Sequence, residues 1–190
     1  MLAKEEFSKN LKEALIKYSA IPSYTDKASY HAYEYFYPEQ LTYLLDKNET
    51  DLHILEIGSA YGGSLNSWMD VLPNANYYSI DHNFDNLSKY IKDKPNLNLY
   101  RCSQSNEIIK TIFPGVVFDL IIDDASHQIN DQIASFNFLK DRLNTNSKYI
   151  IEDIYPEHVY PYDFLKQFEV FDITKIKNRA DDKLFVYKTA

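Results

Sequence analysis

Glycine placement constrains this chain more than any other feature. Only four of its 190 residues are glycine, and three of them, Gly58, Gly62 and Gly63, fall within six consecutive positions. Elsewhere turns are left to Asn, as at Asn74, Asn83, Asn96 and Asn144. Glycine used so sparingly points to a backbone that needs positive φ or the close approach of another group. The window follows a short apolar run, residues 52–57. It precedes a stretch in which Leu65, Trp68, Met69 and Leu72 recur at helical spacing. Strand, glycine loop and helix open a parallel βαβ unit, and the loop lies where open parallel sheets bind their ligands.

The alternation continues. Residues 77–80, 97–102, 118–122 and 149–151 are predicted strands. Helical stretches are predicted over 85–92, around Ile108, Ile109, Ile112 and Phe113, and through Ile129, Ile133, Phe136, Leu139 and Leu143. Two β-rich runs, 168–174 and 184–187, read as an antiparallel pair. Ahead of the alternation stand a helix over 4–18 ended by Pro22, a polar Tyr-rich connection over 23–33, and a second helix over 34–46. The pattern predicts an α/β fold with a doubly wound, mostly parallel, seven-stranded Rossmann-like sheet. Residues 1–190 read as one domain: a helical preface over 1–50 and an α/β core over 51–190.

Composition narrows the setting. Cys102 is the only cysteine, which excludes an intrachain disulfide and fits a reducing cytoplasm. No apolar run reaches the ~20 residues of a membrane span, and the first ten residues, MLAKEEFSKN, lack a secretory apolar stretch. A cytoplasmic protein without a membrane partner is expected. The net charge of -8 and the lack of a basic stripe argue against a nucleic-acid partner. Association of copies into a homo-oligomer stays open.

The strand ends carry the chemistry. Asp81 closes the second strand, where a carboxylate can accept both hydroxyls of a ribose. The window EIGSAYGGS (56–64) fits the G-x-G-x-x-G of nicotinamide enzymes incompletely. Glu56, two residues before the first glycine, matches instead an E-x-G-x-G-x-G pattern, with Ala60 at a glycine position. The fourth strand ends in Asp123 and Asp124, followed by Ser126 and His127; the fifth ends in Glu152 and Asp153. These strands are neighbours in a doubly wound sheet, so their carboxylates converge. Like charges cost energy unless a cation neutralises them, and oxygen donors favour a hard ion such as Mg2+. His127 has the right ordinary pKa for a general base. Plainer readings stay open: Asp124 or Ser126 capping the next helix, and His127 as a solvated turn residue. Glu152 and Asp153 point to opposite faces of a regular strand, so joint ligation requires the chain to turn there.

Taken in order, LEIGSAYGGSL (55–65), Ile80 with Asp81, IDDASH (122–127) and YIIEDI (149–154) resemble the metal-dependent sugar O-methyltransferases of macrolide biosynthesis. The wider group includes proteins described as cephalosporin hydroxylases and polysaccharide methyltransferases. TDK (25–27) with His31 and Tyr33, and DDKLFV (181–186), are similar to that group's opening segment and last strand. The resemblance spans residues 25–188. It implies a Rossmann-like methyltransferase fold that binds S-adenosylmethionine and Mg2+. The metal would sit on Asp124, Glu152 and Asp153, with His127 as the base. Glu56, Gly58, Ser59, Ala60, Gly63, Ser64 and Asp81 would hold the cofactor's methionine portion and ribose. Ser103 and Gln104 would lie around the adenine and Asp123 near the amino group. The sequence departs from the group at Ala60, at Ser103 and Asn106 where relatives carry acids, and at Asn146 and Ser147 in place of two glycines.

Two tyrosine-rich segments, 24–37 and 155–162, can border an acceptor, and Tyr33, Tyr155 and His158 are the candidate contacts. Aromatic faces with a hydroxyl rim suit a sugar ring, although the same tyrosines also suit packing of the preface. The expected activity is Mg-dependent O-methylation of a sugar or glycan hydroxyl. The alternatives are a catechol-like small-molecule O-methyltransferase and a cofactor-binding protein without catalysis.

Overall fold

The computed structural model describes residues 2–21, 24–87 and 89–190. Seven strands form one sheet: β1 (His53–Ile57), β2 (Asn76–Asp81), β3 (Leu97–Arg101), β4 (Phe118–Asp123), β5 (Leu143–Ile151), β6 (Glu169–Asp172) and β7 (Lys183–Lys188). Their order is β3-β2-β1-β4-β5-β7-β6. Strands β1 to β5 run parallel, and β7 lies antiparallel between β5 and β6. The chain leaves β1 toward β2 on one side and returns to β4 on the other. The carboxyl ends of β1 and β4 therefore flank the switch point where such sheets bind ligands.

Helices cover both faces, which is why the central strands are apolar on both. On one face Ile54, Leu120, Ile122 and Ile150 pack with Phe7, Leu11 and Leu15 of α1 (Leu2–Ser19). Tyr37 of α2 (Tyr37–Gln40) and Leu65 and Trp68 of α3 (Gly63–Val71) complete that layer. On the other face Leu55, Ile57, Ile121, Tyr149 and Ile151 pack with Phe113 and with Phe136 and Leu139 of α5 (Ile129–Leu139), the helix after the short α4 (Lys89–Lys92). Side chains alternate strictly along a strand. Glu56 accordingly shares the α1–α3 face with Ile54, and Asp123 shares the α5 face with Ile121. Two further short helices, α6 (Tyr162–Leu165) and α7 (Thr174–Lys177), flank β6.

Several elements differ from their sequence reading. Residues 34–46 form three pieces, a 3-10 turn over Tyr33–Tyr35, α2, and a second 3-10 turn over Thr42–Asp46. Pro38 explains the break: its ring collides with the carbonyl four residues earlier, so a helix starting near residue 34 cannot run through it. Only a 3-10 turn, Glu107–Lys110, forms around Ile108 and Ile109, because Pro114 closes the segment before a helix gains length. Leu143, read as helical, opens β5. That strand is longer than expected, and its pairing passes from Phe118–Leu143 to Leu120–Lys148, a bulge that holds Asn146 at φ 50. Of the helix expected over 85–92, α4 is the part that forms; Ser88 lies outside the described residues. The stop expected at Pro22 also lies outside them, and α1 ends at Ser19. No helix among the described residues is long and apolar enough to cross a membrane.

Candidate active site

A cleft of about 440 Å³ opens beyond the carboxyl ends of β1, β2 and β4, within the range of small-molecule sites. Gly58, Ala60 and Tyr61 from the glycine loop, Asp81 and Asn83 after β2, and Ser103 and Gln104 after β3 form much of its wall; Asp124 and Ser126 close the β4 side. Gly58 has φ 86, and a Cβ there would lie 2.2 Å from the Asp124 carbonyl oxygen. Only glycine lets the β1 and β4 loops meet this closely. Ala60, which stands at a glycine position of the E-x-G-x-G-x-G pattern, holds φ 44, a left-handed conformation that glycine would take without strain.

Asp81 organises the loop. Its Oδ2 accepts from the Ser59 amide at 2.9 Å and the Ala60 amide at 3.1 Å, and its Oδ1 accepts from the Asn83 amide at 3.0 Å. The Ser59 hydroxyl at 3.5 Å from Oδ2 and the exposed His82 Nδ1 at 3.0 Å from Oδ1 complete its surroundings, so the roughly four acceptor sites of the carboxylate are taken up and a ligand hydroxyl would have to replace one of these contacts. Gln104 bridges two strand ends, accepting from the Ser126 amide at 2.7 Å and donating to Asp123 at 3.1 Å. The structure sets the other expected cofactor residues behind the cleft wall. Ser59 is buried under the loop. Gly63 donates its amide to the Tyr24 carbonyl at 3.2 Å, and a Cβ there would meet that oxygen at 2.4 Å. This glycine admits the preface, not a ligand. Ser64 is buried on α3. Asp123 is fully buried, accepting from the Ser135 hydroxyl at 2.5 Å and the Tyr149 hydroxyl at 3.1 Å, and burial pushes its pKa up to about 6. Glu56 is fully buried too; neither carboxylate oxygen, nor Trp68 Nε1, finds a hydrogen-bond partner among the described residues. Burial pushes Glu56 up to about 7 against the opposing pull of Lys27.

The acids at the ends of β4 and β5 do converge, but in two groups. Asp124 follows the Asp123–Ile151 pair by one residue, as does Glu152, so both point to the α1–α3 face that holds Glu56. Lys27 of the preface enters this face. Its Nζ lies 2.6 Å from Asp124 Oδ2 and 2.7 Å from each Glu152 oxygen, and the side chain is only 1% exposed. Burial alone would lower its pKa, but Asp124, Glu152 and Glu56 hold it well above the ordinary value. Tyr37 donates a further hydrogen bond to Glu152. Asp153 is separated from this group because it adopts φ 56, and the chain turns as it leaves β5. Its Oδ1 accepts from the Tyr33 hydroxyl, while its Oδ2 lies 3.6 Å from His127 Nε2. Asp124 Oδ1 lies 3.9 Å from the same nitrogen. Asp124, His127 and Asp153 thus form a group able to surround one ion. His127 Nδ1 is buried without a partner among the described residues.

Backbone strain marks the same place. Among the described residues, five that are not glycine have positive φ: Ala60, His127, Asn146, Asp153 and Asn178. Two are Asn, which tolerates the conformation. The other three line the cleft or the acid group, where such strain concentrates in functional sites. Beyond the acids, Tyr155 stands edge-on to His127 at 6.4 Å and beside His158 at 5.1 Å; both are half-buried at the open side. Tyr33, expected at the acceptor, is instead fully buried and holds Asp153. His31 braces the other side: its Nδ1 is 2.7 Å from Asp182 Oδ1 and 3.5 Å from Asp153 Oδ1.

Sheet order, the switch-point cleft and the acid-lined exit from β4 and β5 together define the architecture. It is the Rossmann-like methyltransferase fold. Solved structures with this fold include MycE methyltransferase from the mycinamycin biosynthetic pathway, in complex with Mg, S-adenosylhomocysteine and mycinamycin VI. It is 20% identical with a TM-score of 0.71, over 95% of this chain and 54% of that one. The protein therefore spans about half the length of MycE. An O-methyltransferase from Bacillus cereus in complex with S-adenosylhomocysteine is 14% identical with a TM-score of 0.60, over 96% and 91% of the two chains. A putative rRNA-methylase from Clostridium thermocellum is 13% identical with a TM-score of 0.60, over 80% and 94%. At these identities the likeness establishes the methyltransferase fold, and acceptors as different as a macrolide and rRNA leave the substrate to be argued from the site. No family model matches the sequence, and no curated protein matches it.

Lys27 and Tyr37 were absent from the sequence-derived site. A signal existed: period two across β1, β4 and β5 puts Glu56, Asp124 and Glu152 on one covered face, and buried acids in such number demand a cation.

Proposed function

We propose that the protein is an enzyme that transfers a methyl group from S-adenosylmethionine to a hydroxyl of a sugar or glycan, assisted by a hard divalent cation such as Mg2+. One observation carries this reading: Asp124 is at once a wall of the nucleoside-sized cleft and a member of the acid–histidine group. The donor set fits the cation. Asp124 Oδ1 and Asp153 Oδ2 make no hydrogen bond among the described residues, and Mg2+ is commonly held by one or two carboxylates with water and substrate oxygens.

The glycine loop, Asp81, Ser103 and Gln104 would hold the nucleoside. Asp124 and Asp153 would hold the cation, which when bound lowers the pKa of an acceptor hydroxyl. His127 Nε2 faces both carboxylates and takes the hydroxyl proton, and their negative charge stabilises the imidazolium that results. Bound S-adenosylmethionine would supply the methyl group, its carbon–sulfur bond breaking as the acceptor oxygen bonds to the methyl carbon, with the thioether as leaving group. Tyr33 and Tyr37 stay protonated, their pKa values raised first by burial and then by the adjacent acids, so they act as donors that fix those acids. Tyr155 and His158 offer the aromatic and polar rim that suits a sugar. MycE, described in complex with Mg, S-adenosylhomocysteine and mycinamycin VI, supports the cofactor and the cation of this reading.

The test is methyl transfer from labelled S-adenosylmethionine to a panel of sugar and phenolic acceptors, with and without EDTA. Turnover on sugars that EDTA abolishes is expected. Turnover undiminished in metal-free protein would remove the cation from the reaction, and methylation of catechols alone would overturn the acceptor.

A further inference from the structure

Glu56, Asp124, Glu152, Asp153 and Asp182 are among the acidic side chains buried or half-buried around the ends of β1, β4, β5 and the start of β7. Lys27 is the cation among them that carries the closest contacts, and its ammonium is shared unequally. It meets both Glu152 oxygens at 2.7 Å, and Tyr37 adds a third hydrogen bond, so both oxygens are engaged and about one of the four acceptor sites of the carboxylate is left. It meets only one oxygen of Asp124, leaving Oδ1 turned toward His127. It makes no contact with Asp153, whose inner oxygen is held by Tyr33 and whose outer oxygen faces His127.

We propose that Lys27 is a positioning residue that divides the acids, claiming Glu152 and one oxygen of Asp124 as an internal ion group and leaving Asp124 Oδ1 and Asp153 Oδ2 to hold a divalent cation. This deepens the function proposed above and rests on its cation. The division follows from geometry. Asp124 and Glu152 share the face that Lys27 enters, whereas the left-handed backbone at Asp153 turns its carboxylate out of that face. A site with two free oxygens keeps coordination positions for water and an acceptor hydroxyl. Three carboxylates would fill more of the shell and bind the ion more tightly. Lys27 thereby trades affinity for openness.

The experiment titrates the full-length protein with Mn2+, followed by calorimetry and by the Mn2+ EPR spectrum, with S-adenosylhomocysteine affinity measured in parallel as a check on folding. In Lys27→Met the affinity for Mn2+ is expected to rise about tenfold or more, as a neighbouring cation is lost and Glu152 is freed. The double variant Lys27→Met, Glu152→Gln is expected to return to within about threefold of the parent. Glu152→Gln alone should leave Mn2+ affinity within about threefold, whereas Asp153→Asn should lower it by about 100-fold or more. If Glu152→Gln abolishes Mn2+ binding while S-adenosylhomocysteine still binds, Glu152 is a ligand and the division is wrong. Unchanged Mn2+ affinity in Lys27→Met makes the lysine merely structural and also overturns it. Should Lys27→Met fail to fold, the contrast between Glu152→Gln and Asp153→Asn decides. A parent protein that binds no Mn2+ overturns the division together with the cation's part in the reaction. Mn2+ binding that follows the expected pattern without methyl transfer overturns the function and leaves the division standing.

Discussion

At Gly58 a single hydrogen atom decides whether the β1 and β4 loops can meet. Gly58→Ala puts a Cβ into the Asp124 carbonyl at a φ that alanine disfavours. A loss of about 3 kcal/mol or more in denaturant unfolding is expected, with weakened S-adenosylhomocysteine binding; a variant as stable as the parent would show that the loops are not so close. Glu56 has a different signature. Its pKa rises to about 7 on folding, from an ordinary 4.5. Folding therefore takes up a proton between those values, and stability falls as pH rises through that window, the loss being complete above about pH 7. Glu56→Gln removes the titration. Its melting temperature should gain on the parent as pH rises from about 5 to about 8. A variant less stable than the parent at the upper pH would mean that the Glu56 charge helps folding through Lys27. His127→Ala should lower turnover by about 100-fold or more while S-adenosylhomocysteine affinity changes little; equal losses of both would make the histidine structural. Of the site residues, His127, Asp124 and Asp153 were legible in the sequence because they sit at strand ends. Glu152 was legible as an acid but not as the partner of Lys27.

Among elements, β4 shows how the two ends of a strand divide stability from chemistry. At its far end from the cleft, Asp119 accepts from Lys47 Nζ at 2.6 Å, from the His53 amide at 2.9 Å and from Asn144 Nδ2 at 3.2 Å. One buried carboxylate thus ties the preface, β1 and β5 to β4. Asp119→Ala takes the side-chain acceptor from the His53 amide and breaks the ion pair with Lys47, which keeps the Thr145 carbonyl and Ser147 Oγ, and should cost about 2–3 kcal/mol. Because the opposite end of β4 carries the site, S-adenosylhomocysteine affinity in the folded variant should stay near that of the parent. A large loss of affinity would show that the strand transmits strain to its other end. The preface divides in a similar way. Helical periodicity marks α1 plainly, but the stretch after it is broken at Pro38, and its short pieces exist only because Tyr33, Tyr37 and Leu44 are packed onto the sheet. Propensity could not have shown this, since pieces this short do not hold as helices alone.

At the scale of the molecule, the cleft and the acid group share Asp124, so nucleoside and cation should be felt by the whole fold. A ligand that binds only the native state stabilises it by about 2.7 kcal/mol at 100 times its dissociation constant. For a protein of this size, S-adenosylhomocysteine at that excess should raise the melting temperature by about 5–10 °C. No shift at any concentration would mean that the cleft is not a nucleoside site. The net charge of -8 adds a general repulsion that a divalent cation relieves.

The sequence by itself determined the strand–helix alternation, the switch-point loop and the acids at three strand ends, because these follow from local periodicity and from residues a few positions apart. Tertiary structure alone decided what each acid does. Lys27 and Glu152 are 125 positions apart, and no local pattern says that one will neutralise the other. Only packing of the preface onto the sheet places an ammonium beneath two carboxylates and a phenol on a third. Charges in a poorly polarisable interior act over distances set by the fold rather than by the chain.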